Sequence, residues 1–286
     1  MGLTRLLQRL KILPAPAVVP VVRLAGVLAP GASPFRSGLA LQRLAPALKQ
    51  AFAWPGAKAV ALVINSPGGS PVQSSLIARR IRQLAREKNL PVIAFVEDVA
   101  ASGGYWLACA ADEIVVDASS IVGSIGVISS GFGFPELMKK LGVERRVHTS
   151  GEKKGMLDSF RPERPEEVEH LKALQGQIHQ RFIAWVKERR GLRLRAPDAE
   201  LFSGAFWTGE SAVALGLADS LGDLRSVLAE RFGPKVRPLP IERKKPFLRG
   251  LLGGSRAEEG EERLALLGAG LLTALEERFL WSRFGL

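Results

Sequence analysis

Two apolar runs that each end in a paired-glycine turn constrain this chain more than anything else in it. Ala59-Val60-Ala61-Leu62-Val63-Ile64 leads into Asn65-Ser66-Pro67-Gly68-Gly69, and Val92-Ile93-Ala94-Phe95-Val96 leads towards Ala101-Ser102-Gly103-Gly104-Tyr105. A short apolar run bounded by glycine reads as a buried strand, and here each strand is followed by a helix. Repetition of strand, turn and helix predicts an α/β fold with a mostly parallel sheet flanked by helices. Such turns also expose main-chain N–H groups at a helix start, where partial positive charge collects. One turn offers donors alone and the other adds a hydroxyl, which together are the minimum for acyl transfer.

The rest of the chain fits the same alternation. A first strand is expected over residues 18–24 and a helix over 39–52. Ser70 is a good N-cap and Pro71 suits the first helical position. That helix runs to Lys88 with Ile77, Ile81 and Leu84 inward, and Leu90-Pro91 ends it. A short helix follows Ser102 to Ala111, then strands over 113–117 and 123–128. A long helix spans Pro165 to Arg190, where Val168, Leu171, Leu174, Ile178, Phe182 and Trp185 fall on one stripe and Gly191 stops it. Smaller helices are expected over 208–215 and 222–232. The Pro-, Lys- and Arg-rich stretch 236–247 reads as a linker, and a mixed-charge helix is expected over 257–279. The expected division is a basic amphipathic leader at 1–16, one globular domain at 17–236, and a linker plus amphipathic helix at 237–286.

Charge is concentrated at one end. Of the 40 basic residues twelve fall in residues 1–86, which hold no acid, leaving 28 against the 28 acids of the remainder. This points to contact with an anionic membrane surface or to simple solubility. Nucleic acid is not expected, because no binding motif accompanies the charge. In the leader Leu3, Leu6, Leu7, Leu10 and Leu13 share a helical face, which suits an interfacial helix or a frayed terminus. No run reaches the roughly 20 apolar residues of a membrane span. The opening residues match neither a signal peptide nor a myristoylation signal. The expected location is therefore cytoplasmic or peripheral to a membrane. The single cysteine, Cys109, excludes an internal disulfide and sits among small residues as a buried, inert thiol.

Ser102 is the candidate nucleophile; a serine in one such turn is more often only a helix cap, but the pair of turns at two strand ends argues against coincidence. It needs a base. His148 stands beside Arg145 and Arg146 without a carboxylate to orient it, and His170 and His179 lie beside the apolar stripe of the long helix as solvated side chains. The loop Ser150-Gly151-Glu152-Lys153-Lys154-Gly155 offers lysine instead. A lysine becomes a general base only when buried, since lowering its pKa from about 10.4 to about 7.5 requires roughly 4 kcal/mol. An exposed basic loop is the alternative reading of the same residues.

These motifs together resemble the signal peptide peptidase A family, peptidase family S49, within the wider ClpP/crotonase fold. The likeness covers about residues 18–233. It rests on Asn-Ser-Pro-Gly-Gly, on Ala-Ser-Gly-Gly-Tyr-Trp-Leu-Ala, on Gly123-Ser124-Ile125-Gly126-Val127, on the lysine loop, and on Phe206-Trp207-Thr208-Gly209 with Ala214-Leu215-Gly216-Leu217-Ala218-Asp219. The resemblance implies repeated ββα units and a Ser-Lys dyad. By motif Ser102 matches the nucleophile, Lys154 the base, and Ser124 the serine that orients the lysine. Gly68 or Gly69, with the N–H of Ser102, matches the oxyanion hole. Lys153 stands where the family usually has an aromatic residue, which leaves open whether it assists or replaces Lys154.

The expected activity is serine endopeptidase hydrolysis of apolar peptides, such as cleaved signal peptides or misfolded segments, with no cofactor or metal. The resemblance also implies assembly into a homo-oligomeric ring or dome with active sites completed between neighbours. A crotonase-like enzyme acting on acyl-CoA, drawing on Glu97 or Asp98, and an inactive scaffold of the same fold are the alternatives.

Overall fold

The two apolar runs become neighbouring central strands of an eight-stranded sheet. The computed structural model describes residues 16–30, 38–241 and 278–285. The strands are β1 (Val18–Ala25), β2 (Val60–Ser66), β3 (Val92–Ala101), β4 (Glu113–Val116), β5 (Ile121–Gly123), β6 (Phe206–Thr208), β7 (Ser220–Leu221) and β8 (Arg237–Pro240). The helices are α1 (Leu41–Phe52), α2 (Pro71–Lys88), α3 (Gly103–Ala108), α4 (Pro135–Lys140), α5 (Pro165–Arg190), α6 (Asp198–Leu201), α7 (Gly209–Ala214) and α8 (Leu224–Phe232). The strand order is β6-β5-β3-β2-β1-β8, with β4 beside β3 and β7 beside β4. Every pairing is parallel except that of β5 with β6. The α/β class and the mostly parallel sheet are those expected from the sequence.

Strand β3 organises the site end of the sheet. Its first half, Ile93–Val96, pairs with β4, and its last residues, Val99–Ala101, pair with β5. The chain therefore steps from β4 up to β5 along one side of β3, and β5 ends level with Ala101, one residue before Ser102. Burial on both faces explains the unbroken apolar runs. Val22, Leu24, Leu62, Ile64 and Val92 face a core covered by α1, α2 and α3. Val21, Val63, Ile93, Phe95 and Val115 face a smaller one that includes Leu228 of α8.

Local signals behave as expected where they are strong. The Ser70 hydroxyl accepts from the N–H of Gln73, Pro71 opens α2, and Asn89 closes it in the left-handed conformation. Three expectations shift. The strand foreseen over 123–128 is only Ile121–Gly123, because Ser124 takes a positive φ of 53° and turns the chain out of the sheet. The helix after Ser102 is shorter, ending at Ala108. The stretch taken as the start of a linker supplies β8, parallel to β1. Arg237 and Ile241 donate their N–H groups to Ala17 and Val21, so Pro238 and Pro240 occupy the outward positions where proline leaves no ladder bond missing. The expected leader lies outside the described residues apart from residue 16, and so does most of the C-terminal helix. No helix among the described residues is long and apolar enough to cross a membrane.

A buried ion pair joins the late motif to the rest. Arg190, 3% exposed at the end of α5, donates to Gly216 O and to both Asp219 oxygens at 2.8 and 3.0 Å. Asp219 also accepts the Ile114 N–H at 2.7 Å. Burial alone would push the Asp219 carboxyl up, but the Arg190 guanidinium and the Ile114 N–H more than offset it and hold it below its ordinary range. Nearby Tyr105 donates to Leu217 O at 2.8 Å. Cys109 is buried beneath it, and desolvation pushes its thiol up to about 12.

Asp219→Asn leaves the Arg190 guanidinium buried without its counter-charge, and urea unfolding at pH 7 should show a loss of about 3–5 kcal/mol. A carboxyl held low stabilises above its unfolded value of about 3.9 and loses that contribution as pH falls through its folded value. The gap between wild type and variant should therefore narrow as pH falls below about 4.

Candidate active site

Ser102 sits where β3 gives way to α3, with φ 51° and ψ −119°. A residue with a Cβ reaches this region only under strain of about 1–3 kcal/mol, which surrounding contacts must hold in place. Those contacts are present. The Ser102 N–H donates to Gly123 O at 2.8 Å, and its C=O accepts from Trp106 N at 3.0 Å. Trp106 stacks on Phe182 at 4.7 Å and accepts on its carbonyl from Trp185 Nε1, which fixes α3 against α5. The tyrosine and tryptophan after the glycine pair thus brace the serine turn.

The first glycine turn lies directly against the second. A Cβ on Gly104 would meet Ser66 O at 2.3 Å, so only glycine permits the approach. Gly69 takes φ +132°, and a Cβ there would lie 2.1 Å from Leu28 O. The turn is clamped by Leu28, which donates to Gly68 O and accepts from Ser70 N, both at 2.7 Å. The Ser66 hydroxyl donates to Gly26 O at 2.7 Å and accepts the Gly68 N–H at 3.2 Å.

This arrangement distinguishes among the expected oxyanion donors. The N–H of Ser102 is taken by Gly123, and that of Gly68 by Ser66. Both groups are engaged within the chain. Gly69 remains, and Gly103 joins it. Both line the cavity at Ser102, together with Gly126, Ile178 and Phe182, and neither N–H has a partner among the described residues. Gly103 was not singled out because its donor is free only as the first residue of a helix, a geometric fact absent from composition.

Ser124 is 7% exposed and follows Gly123, so it stands on the strand end next to Ser102. Its N–H donates to Ala205 O at 2.7 Å. Lys153 and Lys154 are exposed in the loop before α5. Within one chain the burial that a basic lysine needs is not supplied. The loop is anchored at Glu167, which accepts the Leu157 N–H at 2.8 Å and pairs with Arg161 at 2.7 Å. Glu167 and Ile178 are separated by eleven residues of helix, or about 16 Å at 1.5 Å each. His148 and His170 are exposed, whereas His179 is half-buried with Nε2 2.9 Å from Ile125 O, closer to the site than its helical position suggested.

Residues 126–164 form an arm that leaves the sheet. Phe134 packs on Phe132 and Phe160, and Arg145 lies over Phe160 and pairs with Asp158 at 3.1 Å. α4 has no buried residue, and Phe132 and Leu141 are 79% and 66% exposed.

The model of peptidase family S49 matches residues 84–231. A Brucella abortus protein named Na(+)/H(+) antiporter NhaA is 53% identical over 272 residues, covering 94% of this chain and 37% of its own length. The chloroplastic serine protease SPPA of Arabidopsis thaliana is 35% identical over 188 residues, covering 65% of this chain and 27% of its own. The chain thus spans well under half the length of both relatives. A solved 1510-N membrane-bound stomatin-specific protease gives a TM-score of 0.47 at 19% identity, covering 76% of this chain and 85% of that one.

Ser66→Ala removes the acceptor of a buried N–H and the donor to Gly26 O. Thermal or urea denaturation should show a loss of about 1–3 kcal/mol.

Proposed function

The chain belongs to peptidase family S49, and on that premise we propose that it is a serine endopeptidase with Ser102 as nucleophile and Lys154 as general base. One observation carries the proposal. A strained serine stands at a cavity flanked by two unpartnered main-chain donors, Gly69 and Gly103. Unprotonated Lys154 Nζ takes the proton from Ser102 Oγ as Oγ bonds to the peptide carbonyl carbon. The carbonyl oxygen becomes an oxyanion held by the N–H groups of Gly69 and Gly103, each of which is worth on the order of 100-fold in rate. The lysine then passes its proton to the departing amine as the C–N bond breaks, and water hydrolyses the acyl-enzyme by the reverse proton path. The Ser124 hydroxyl orients the lysine.

The lysine is supplied by a neighbouring copy of the chain. Two features support this: the loop is exposed in the single chain, and the arm presents apolar side chains to solvent, the mark of an interaction surface. Assembly into a ring or dome would bury the arm and give Lys154 the dry surroundings its role requires. Apolar peptides, including cleaved signal peptides and misfolded segments, are the proposed substrates. The crotonase-like alternative is weaker, because its acids are engaged: Glu97 pairs with Arg23 at 2.6 Å and Asp98 accepts from Asn65.

A fluorophosphonate should label the wild-type chain and not Ser102→Ala. Peptide hydrolysis should fall on the order of 1,000-fold or more in Ser102→Ala and in Lys154→Ala. Mixing the two inactive variants should restore hydrolysis, since sites with an intact serine from one copy and an intact lysine from another then form. A mixture as inactive as its parents would put the base and the nucleophile in the same chain.

A further inference from the structure

The cavity at Ser102 is the narrow end of a larger feature. About 10 Å³ is open beside the serine, against about 590 Å³ in a groove between α2 and α5. Pro71, Trp106 and Ile178 line both spaces, so the groove begins where the reacting bond would lie. Its floor is apolar. Val72 and Leu76 of α2 are 64% and 38% exposed, and Ile178 and Trp185 of α5 line the groove with them. Beyond the groove Arg82 and Arg189 both pair with Asp112, at 2.7 and 3.2 Å, which ties the two helices together.

Three arginines, Arg79, Arg86 and Arg181, edge this floor against one acid, Glu188. None of the three has a carboxylate partner among the described residues, and Arg79 donates only to Ser75 Oγ one turn back. Other arginines of the same two helices do find an acid, as Arg82 and Arg189 do with Asp112. An apolar trough with unpaired guanidinium groups on its rim is complementary to an apolar segment that carries a carboxylate.

We propose that the α2–α5 groove is a specificity subsite for a peptide substrate whose apolar residues lie next to the cleaved bond and whose carboxylate, two to four residues away, is bound by Arg181 at the near end of the groove or by Arg79 farther along it. The proposal rests on Ser102 as the peptidase nucleophile. The distance follows from helix geometry. Arg181 lies three residues beyond Ile178, about 4.5 Å, and Arg79 lies eight beyond Pro71, about 12 Å, where an extended peptide advances about 3.3 Å per residue. The carboxylate can come from an acidic side chain or from the free end of the substrate, as both present the same planar acceptor to a guanidinium.

The test is a set of fluorogenic peptides with one apolar core. Each carries Glu or Gln two, three or four residues from the cleaved bond on either side, or ends in a free carboxylate or an amide. On one side of the bond, kcat/KM should be about three- to tenfold higher for the carboxylate member, and the advantage should shrink in 0.5 M salt. The internal Glu peptides and the free-ended peptides separate the two sources. In Arg79→Gln/Arg181→Gln the ratio should fall to about one, and Arg181→Glu should favour Lys over Glu at the same position. Equal kcat/KM for every Glu/Gln and acid/amide pair in the wild-type protein would overturn the subsite. So would a double variant that keeps the ratio and instead changes oligomer mass by light scattering, since the groove would then be a contact between copies. Fluorophosphonate labelling of wild-type Ser102 separates the two readings. Without labelling, anisotropy of the same labelled peptides on Ser102→Ala still shows whether the groove prefers the carboxylate.

Discussion

The contact between two main-chain turns governs the functional end of this molecule. Ser66–Gly69 and Ser102–Gly104 approach so closely that a single methylene on Gly104 would collide with Ser66 O. No side chain separates them, so the peptide groups themselves set the spacing. Polar clamps hold the contact from both sides: Ser66 and Leu28 secure one turn, and Gly123 secures the other. Because the turns begin at the ends of adjacent parallel strands, the sheet register transmits directly to the relative position of Gly69 and Gly103. Precision here comes from the buried centre of the sheet.

Much of this was legible in the residues. Buried parallel strands need apolar side chains on both faces, so Ala59–Ile64 and Val92–Val96 could only be interior strands. Ser70, Pro71 and Gly191 marked helix ends through chemistry that acts over a few residues. What the sequence did not show was long-range. The positive φ of Ser124 ends β5 early, and nothing in Gly-Ser-Ile-Gly-Val distinguishes a strand from a strand that turns. Arg237–Pro240 looked like a linker because proline opposes a ladder, yet an edge position tolerates it. The two glycine turns were legible as motifs, but which of their N–H groups remain free depends on acceptors from Ser66 and Gly123.

The arm and the α5 helix show the same limit from the other direction. The stripe on α5 predicts one continuous buried face, but only its C-terminal part meets the core, where Phe182 and Val186 are buried and Leu174 is 44% exposed. Apolar periodicity reports that a face will be covered without saying by which molecule. A helix half packed within its own chain and half open, beside an arm rich in uncovered phenylalanine and leucine, fits surface meant for another molecule. The arginines along the α2–α5 seam that lack a carboxylate partner among the described residues add a second, electrostatic layer to that openness.

The two prolines on the outer side of β8 bear on how the folded protein behaves in a crowded solution. That margin of the sheet lacks amide hydrogens at Pro238 and Pro240, so a stray extended chain finds no regular row of donors to copy. Self-templated fibril growth is blunted on this flank, and association between molecules is left to surfaces that recognise by shape and charge.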